Sequence, residues 1–161
     1  MMEFPEKTTI KSCTITIQPR YSETDQGGVV HHNVFAVYFE MGRTELLRAN
    51  GLAYKDLEAA GVFFVIAELR VKYRRPAFYD EKLELLTTCT NVTASKVEHS
   101  YKLTRPPKGE NSPASALAGG EAESKADPAT GEVIAEGASV LACVDSGGKI
   151  RRMPEFMYPY V

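Results

Sequence analysis

The chain has 161 residues, 43% of them hydrophobic and 25% charged, with a formal net charge of −2. That length suits one domain with a real core, and the composition excludes a disordered or fibrous chain. A slightly acidic surface has no general attraction for nucleic acid or anionic lipid.

The three cysteines, Cys13, Cys89 and Cys143, are widely spaced and form no CxxC. This argues against a disulfide framework or a thiolate zinc site, and the simplest reading is a reduced, cytoplasmic protein. No apolar stretch approaches the length of a membrane span, and residues 1–9 contain no signal-like apolar run.

Residues before Ser12 read as a loose tail. Residues 12–18 alternate, with Cys13, Ile15 and Ile17 on one face of a half-buried strand, and Pro19 ends it. Residues 21–32 form a loop with a tight turn at Gly27-Gly28. Asn33 is read as an N-cap, and a helix runs from Val34 to about Ala49. Its apolar surface is broad, and Glu40, Arg43, Glu45 and Arg48 make its charged side, so other structure wraps most of it. Gly42 is expected to face the sheet where a side chain would clash. Asn50-Gly51 stops the helix, and residues 52–60 form a second short one ended by Gly61.

Residues 62–74 are the strongest strand pattern. Val65, Ala67, Leu69, Val71 and Tyr73 are assigned to one face, and Glu68, Arg70, Lys72 and Arg74 to the other. Residues 81–91 and 96–105 are further strands, the latter with Val97, His99, Tyr101 and Leu103 aligned. Residues 106–130 are rich in Pro, Gly, Ala, Ser and Glu and read as an exposed, mobile insertion, with 111–126 dispensable for folding. Strand character resumes at 131–144, Gly147-Gly148 is a turn, and a short basic and aromatic tail follows. Four consecutive strands after one long helix predict a single α+β domain over 1–161, an antiparallel sheet covered by a helix.

Chemistry concentrates in Tyr21-Ser22-Glu23-Thr24-Asp25-Gln26-Gly27-Gly28-Val29-Val30-His31-His32-Asn33. A carboxylate a few residues before a helix start can act as base or nucleophile beside unpaired backbone N–H groups, which favour negative charge on a substrate oxygen. The competing reading of Asp25 is a local Asx-turn. His31 and His32 lack a third ligand at metal-binding spacing, and His99, on an apolar face, reads as a packed core histidine. There is no GxSxG elbow, P-loop or dinucleotide fingerprint. Arg70, Lys72, Arg74 and Arg75 form a basic stripe, either a phosphate contact or a solvated strand face.

The segment Tyr21, Thr24-Asp25, Gly28, Val30, His32, Phe39-Glu40 and Arg43 resembles the 4-hydroxybenzoyl-CoA thioesterase family, in particular its Tol-Pal-associated branch. Val71-Lys72-Tyr73 with Pro76 and Asp80, and Ala142-Cys143-Val144-Asp145, add to the likeness. The resemblance implies a hotdog fold, with the antiparallel sheet wrapped around the long helix, and acyl-CoA thioester hydrolysis without metal or organic cofactor. Active sites would lie between the subunits of a homodimer or homotetramer. Asp25 would be general base or nucleophile, and the His32 amide the oxyanion contact. The His32 side chain and Tyr21 would assist, Gly28 and Val30 would line the substrate site, and the basic stripe would meet the CoA phosphates. A non-catalytic acyl-CoA or acyl-carrier-protein binding protein on the same fold is the alternative. Glu23, His31 and the 106–130 insertion depart from the branch's pattern.

Overall fold

The structure is a computed structural model, and it describes residues 3–107 and 131–158. The alternating segments form β1 (Ser12–Ile17), β2 (Phe63–Tyr73), β3 (Leu83–Val92), β4 (Lys96–Arg105) and β5 (Glu132–Val144). The helical pattern forms α1 (Val34–Ala49) and α2 (Tyr54–Ala59). The strands make one antiparallel sheet in the order β1-β3-β4-β5-β2. α1 packs against the sheet, giving the hotdog arrangement. Of the expected insertion, residues 108–130 lie outside the described part of the chain. Among the described residues, no helix is long and apolar enough to cross a membrane.

The first turns of α1 carry Phe35, Tyr38 and Phe39 into a cluster with Ile17, Leu83, Leu85, Leu103 and Ile134. Phe39 stacks on Tyr101 at 4.3 Å between ring centroids. A second cluster, around Leu52, Leu57, Val97, Leu141, Cys143, Met153 and Met157, fills the other end. The helix stops where Gly51 takes a φ of 75° and the Leu52 amide reaches back to the Leu47 carbonyl at 3.0 Å.

The strand periodicity is carried through on β3 and β4, where Leu83, Leu85, Thr87, Tyr101 and Leu103 are all buried. β2 departs from the expected pattern. Ile66 pairs with Leu141 but Glu68 pairs with Val140, so Ala67 is an extra residue. Such a bulge reverses which parity faces the core. Phe64 and Ile66 therefore share the inner face with Leu69, Val71 and Tyr73, and Val65 does not.

Three more expectations are corrected. Asn33 holds the N-cap position of α1 but makes no side-chain cap; its Oδ1 meets His31 Nδ1 at 2.7 Å instead. The N-terminal residues are tied down rather than loose. The Thr8 amide donates to the Phe156 carbonyl at 2.7 Å, Asn50 Oδ1 accepts from the Thr9 and Ile10 amides, and Phe4 stacks on Phe156. Arg43 leaves the charged side of α1 and is 5% exposed.

Buried polar side chains lie between the two apolar clusters on four elements in turn. Arg43 follows Phe39 and precedes Leu47 on α1. Thr87 separates Leu85 from Cys89, His99 separates Val97 from Tyr101, and Ser139 lies between Ala135 and Leu141. Tyr101 Oη joins Ser139 Oγ at 2.6 Å and accepts from Arg43 Nη1 at 3.2 Å. Burial, with Arg43 adding to it, pushes His99 down to about 4, so its ring is neutral near pH 7.

Two glycines let the layers meet. A Cβ on Gly42 would lie 2.1 Å from Thr87 Oγ1 and 3.0 Å from Leu85 Cδ2. A Cβ on Gly137 would lie 2.3 Å from the Phe39 ring and 2.9 Å from the Arg70 carbonyl oxygen. Gly42→Ala and Gly137→Ala are each expected to cost about 1–3 kcal/mol through overpacking. For Gly42→Ala this overrides a gain in helix propensity of about 1 kcal/mol. Urea denaturation measures both, and an unchanged midpoint in both variants would contradict the packing.

Candidate active site

The loop before α1 is held from several sides. The Val30 amide bonds the Ala77 carbonyl at 2.8 Å, and the His31 amide bonds the Glu23 carbonyl at 2.9 Å. Thr24 bridges to Val30 and Val29 to Phe78. The turn itself is built on Asp25, whose carbonyl accepts from the Gly28 amide at 3.0 Å while Gly28 adopts a φ of 78°.

The Asp25 carboxylate is solvent-exposed in the single chain. Its Oδ1 accepts from the Gly27 amide at 2.8 Å and the Val29 amide at 3.4 Å. This is the Asx-turn that the residue type favours. A Cβ on Gly27 would lie 3.1 Å from Oδ1, so the glycine makes room for the bond. Asp25 Oδ2 makes no hydrogen bond among the described residues. The group is thus oriented through one oxygen and open at the other.

His32 stands at the entry to α1. Its carbonyl accepts from the Tyr73 hydroxyl at 2.8 Å, and its ring lies 4.2 Å from that of His31. Its backbone N–H meets no acceptor among the described residues. A recess of about 240 Å³ joins His32 to Val30, Phe35, Tyr73, Arg74 and Arg75. The fold therefore brings part of the basic stripe to the same recess as His32. Val30 is 5% exposed and belongs mainly to the core. Tyr21 projects outward, 78% exposed, edge-on to Tyr79.

Arg70 and Lys72, with Arg74 reaching both places, line a groove of about 320 Å³ on the sheet's outer face together with Glu136, Gly137 and Ala138. Arg70 pairs with Glu68 at 2.8 Å, Arg74 with Glu136 at 2.9 Å, and Arg75 with Glu132 at 3.4 Å. Lys72 has no carboxylate partner among the described residues. Exposed pairs of this kind are weak enough to be exchanged for another anion. Among the described residues, no three His, Cys, Asp or Glu side chains converge on a metal-sized point.

Sequence reasoning missed the two residues that brace this loop. Tyr73 anchors His32, and the strand bulge that aims it inward has no sequence signal of its own. Glu23 accepts from the Tyr38 hydroxyl at 2.7 Å, the Arg20 amide at 2.9 Å and the Arg20 guanidinium. The Arg20–Glu23 spacing is legible as a local pair, whereas the link to Tyr38 is not. Burial alone would raise the Glu23 carboxyl. The bonds from the Arg20 amide, the Tyr38 hydroxyl and the Arg20 side chain outweigh it and hold the group below its usual range.

The arrangement defines a class: a hotdog domain with an oriented carboxylate in the loop that leads to an unbonded amide at the start of its central helix. Residues 19–159 match the family model described as the thioesterase-like superfamily, and the chain belongs to that family. The chain is 33% identical over 90 residues to a putative acyl-CoA thioesterase, YneP, of Bacillus subtilis, covering 56% of this chain and 65% of that protein. It is 34% identical over 83 residues to the acyl-CoA thioester hydrolase YbgC of Escherichia coli O6:H1, covering 52% and 62%. The match thus spans just under two thirds of the length of these curated relatives. Among solved structures, a hypothetical protein of Thermus thermophilus superposes with a TM-score of 0.70 at 33% identity, covering 88% of this chain and 91% of that one. A DHNA-CoA thioesterase of Staphylococcus aureus superposes with a TM-score of 0.71 at 24% identity, covering 88% and 80%, a likeness of fold.

A depressed carboxyl stabilises the fold only where the unfolded state would also be ionised, so Glu23 contributes fully above about pH 5. That contribution is lost as pH falls through the unfolded value of about 4.3 toward the lower folded one. Glu23→Gln is therefore expected to melt below wild type at pH 7 and to approach it as the solution is acidified toward about pH 3. Thermal scans across that range test the point. A gap that stays constant with pH would mean that the ionised form is irrelevant.

Proposed function

We propose that the protein hydrolyses acyl-CoA thioesters to a free acid and CoA, with Asp25 as the essential side chain. The observation that carries the reading is the one loop that supplies both an oriented, half-free carboxylate and the unbonded His32 amide. The likeness to YbgC, an acyl-CoA thioester hydrolase, supports the substrate class. The thioester carbonyl oxygen would accept from the His32 N–H, where the helix N-terminus favours developing negative charge. Asp25 Oδ2 would then attack the carbonyl carbon or take a proton from the attacking water. The His32 ring and Tyr21 would assist departure of the thiol. Lys72, together with arginines released from their exposed pairs, would meet the CoA phosphates. The three free thiols support a reducing, cytoplasmic setting.

A homodimer or homotetramer completes this reading. β2 is the outer strand beside β5, and its inner-face residues Ile66, Leu69 and Tyr73 stay 47%, 37% and 51% exposed. Val37 and Met41 of α1 are exposed as well. Apolar surface along a free sheet edge favours a symmetric partner. A second copy there would also exclude water from the recess beside His32. Ile66→Lys combined with Leu69→Lys is expected to shift sedimentation toward a monomer and to lower turnover with it. Unchanged sedimentation would remove β2 as the interface.

The second reading, a binding or scaffold protein, draws on the Asx-turn, since Asp25 already has a local role. Asp25→Asn separates the two. Hydrolysis predicts a fall in kcat of about a hundredfold or more, the scale of one well-placed acid–base group, with binding of a non-hydrolysable acyl-CoA largely retained. Thiol release from short, branched, long-chain and aromatic acyl-CoAs measures it. Turnover unaffected by the substitution would reject Asp25. Binding without any turnover by the wild type would favour the scaffold.

A further inference from the structure

The connection from β2 to β3, residues 74–82, supports one side of the Asp25 loop. The Val30 amide donates to the Ala77 carbonyl at 2.8 Å, and Val29 bridges to Phe78. Val29 in turn frames the aspartate. Its carbonyl accepts from the Asp25 amide at 2.9 Å, and its amide lies 3.4 Å from Asp25 Oδ1. The direction of the carboxylate therefore depends on where Ala77 and Phe78 stand.

Both are held from β4 by its last residue, Arg105. Arg105 Nε donates to Glu81 Oε2 at 2.8 Å and Nη2 to Glu81 Oε1 at 2.9 Å, a two-pronged pair. Nη2 also donates to the Pro76 carbonyl at 3.0 Å, and Nη1 meets Glu132 on β5. Glu81 Oε1 accepts from the Phe78 amide as well, at 2.9 Å, and the guanidinium carbon lies 5.9 Å from the centre of the Phe78 ring. Pro76 and Phe78, the two chain neighbours of Ala77, are thus both tied to Arg105. The Ala77 carbonyl between them has little freedom, because Ala77 is fully buried and Pro76 has a fixed φ.

This network differs from the ion pairs on the outer face of the sheet. The side chains of Arg105, Glu81 and Glu132 are 26%, 13% and 20% exposed, against 51% and 42% for Arg74 and Glu136. Partial shielding from water and salt makes it the firmer anchor. Three acceptors lying in different directions also require the planar fork of an arginine, which the point charge of a lysine does not reproduce.

We infer that Arg105 is a positioning residue for the thioester chemistry: acting through Glu81, Pro76 and Phe78, it sets Val29 and Val30 and hence the direction of the Asp25 carboxylate. The inference rests on the reading of Asp25 as the essential side chain. Arg105 acts through the connection and not on the substrate. A mere staple between strands would lower stability when removed and leave catalysis by the folded protein unchanged.

The test compares Arg105→Lys and Arg105→Met with Val97→Ala, a destabilising change in the second apolar cluster, all in the full chain. Assays are run where circular dichroism shows each variant folded; Arg105→Lys keeps the charge should Arg105→Met not fold. Because misplacing a reacting group by about 1 Å can cost about a hundredfold, Arg105→Lys is expected to lower kcat for an acyl-CoA by about tenfold or more, with KM within about twofold. Val97→Ala is expected to melt lower and keep its kcat. Hydrogen exchange supplies a readout apart from activity. In Arg105→Lys the Val30 amide is expected to accelerate by about tenfold more than the slowest amides of β4, and in Val97→Ala by no more than they do. An unchanged kcat in the Arg105 variants would overturn the inference, as would a Val30 amide that accelerates only in step with β4. If the wild type releases no thiol from any acyl-CoA, the thioesterase reading fails instead, and the exchange comparison alone decides whether Arg105 anchors the loop.

Discussion

A helix and a sheet normally stand apart by the thickness of their side chains, and in this domain that spacing is reduced at two points. Missing Cβ atoms at Gly42 on α1 and Gly137 on β5 allow Thr87 and the Phe39 ring to occupy the space between the layers. Phe39 can then lie flat on Tyr101 with an interplanar angle of 7°. Dense contact of this kind fixes the helix axially as well as radially, because a surface seated against β-branched and aromatic groups resists sliding. The position of the helix N-terminus, and so of the His32 amide, follows from packing some turns away.

The loop at that N-terminus is fixed by a different set of forces. Few apolar side chains are available between Tyr21 and Asn33, so hydrogen bonds hold it. Tyr38, buried in the core cluster, reaches out to Glu23, and Tyr73 reaches from β2 to the His32 carbonyl. In both cases a ring packed by its apolar body offers a hydroxyl to the loop, the usual compromise for a buried tyrosine. Asp25 then needs to order only its own turn, through one oxygen. The local-turn and catalytic readings of this aspartate are compatible physically, since a carboxylate has acceptor capacity to spare.

What the sequence discloses follows the range of the forces involved. Alternation and helical spacing are local, so β4 matches its expected span to the residue at Lys96–Arg105, and α1 matches at Val34–Ala49. The helix stop at Asn50-Gly51 is legible because it depends on backbone conformation at one glycine. The bulge at Ala67 is not, since it is defined against β5, far along the chain. Asn33 is a residue type suited to capping, but His31 competes for its oxygen. Thr8 and Phe4 sit in an unpatterned stretch whose partners are near the far end of the described chain. Charge usually means solvent, which assigns Arg43 to the polar side of its helix; only the sheet shows that it points inward, to Tyr101. Within the candidate site, the motif draws attention to Asp25 and His32. Their supports, the Tyr73 hydroxyl and the Glu23–Tyr38 bond, require the third dimension.

β2 shows how one local irregularity can divide a strand between tasks. Before the bulge, Phe64 and Ile66 share the inner face opposite Cys143 and Leu141, and Phe64 packs against the cluster at the C-terminal end of α1. After it, the inward parity changes, so Val71 joins the other cluster and Tyr73 meets both the Phe35 ring and the His32 carbonyl. The same change sends Arg70, Lys72 and Arg74 together to the outer face. Without the extra residue, the strand would present these cations toward Phe35 and Phe39, at a desolvation cost that no carboxylate there could offset. The bulge is therefore what allows a single edge strand to complete the core, brace the helix entry and carry a basic stripe at once.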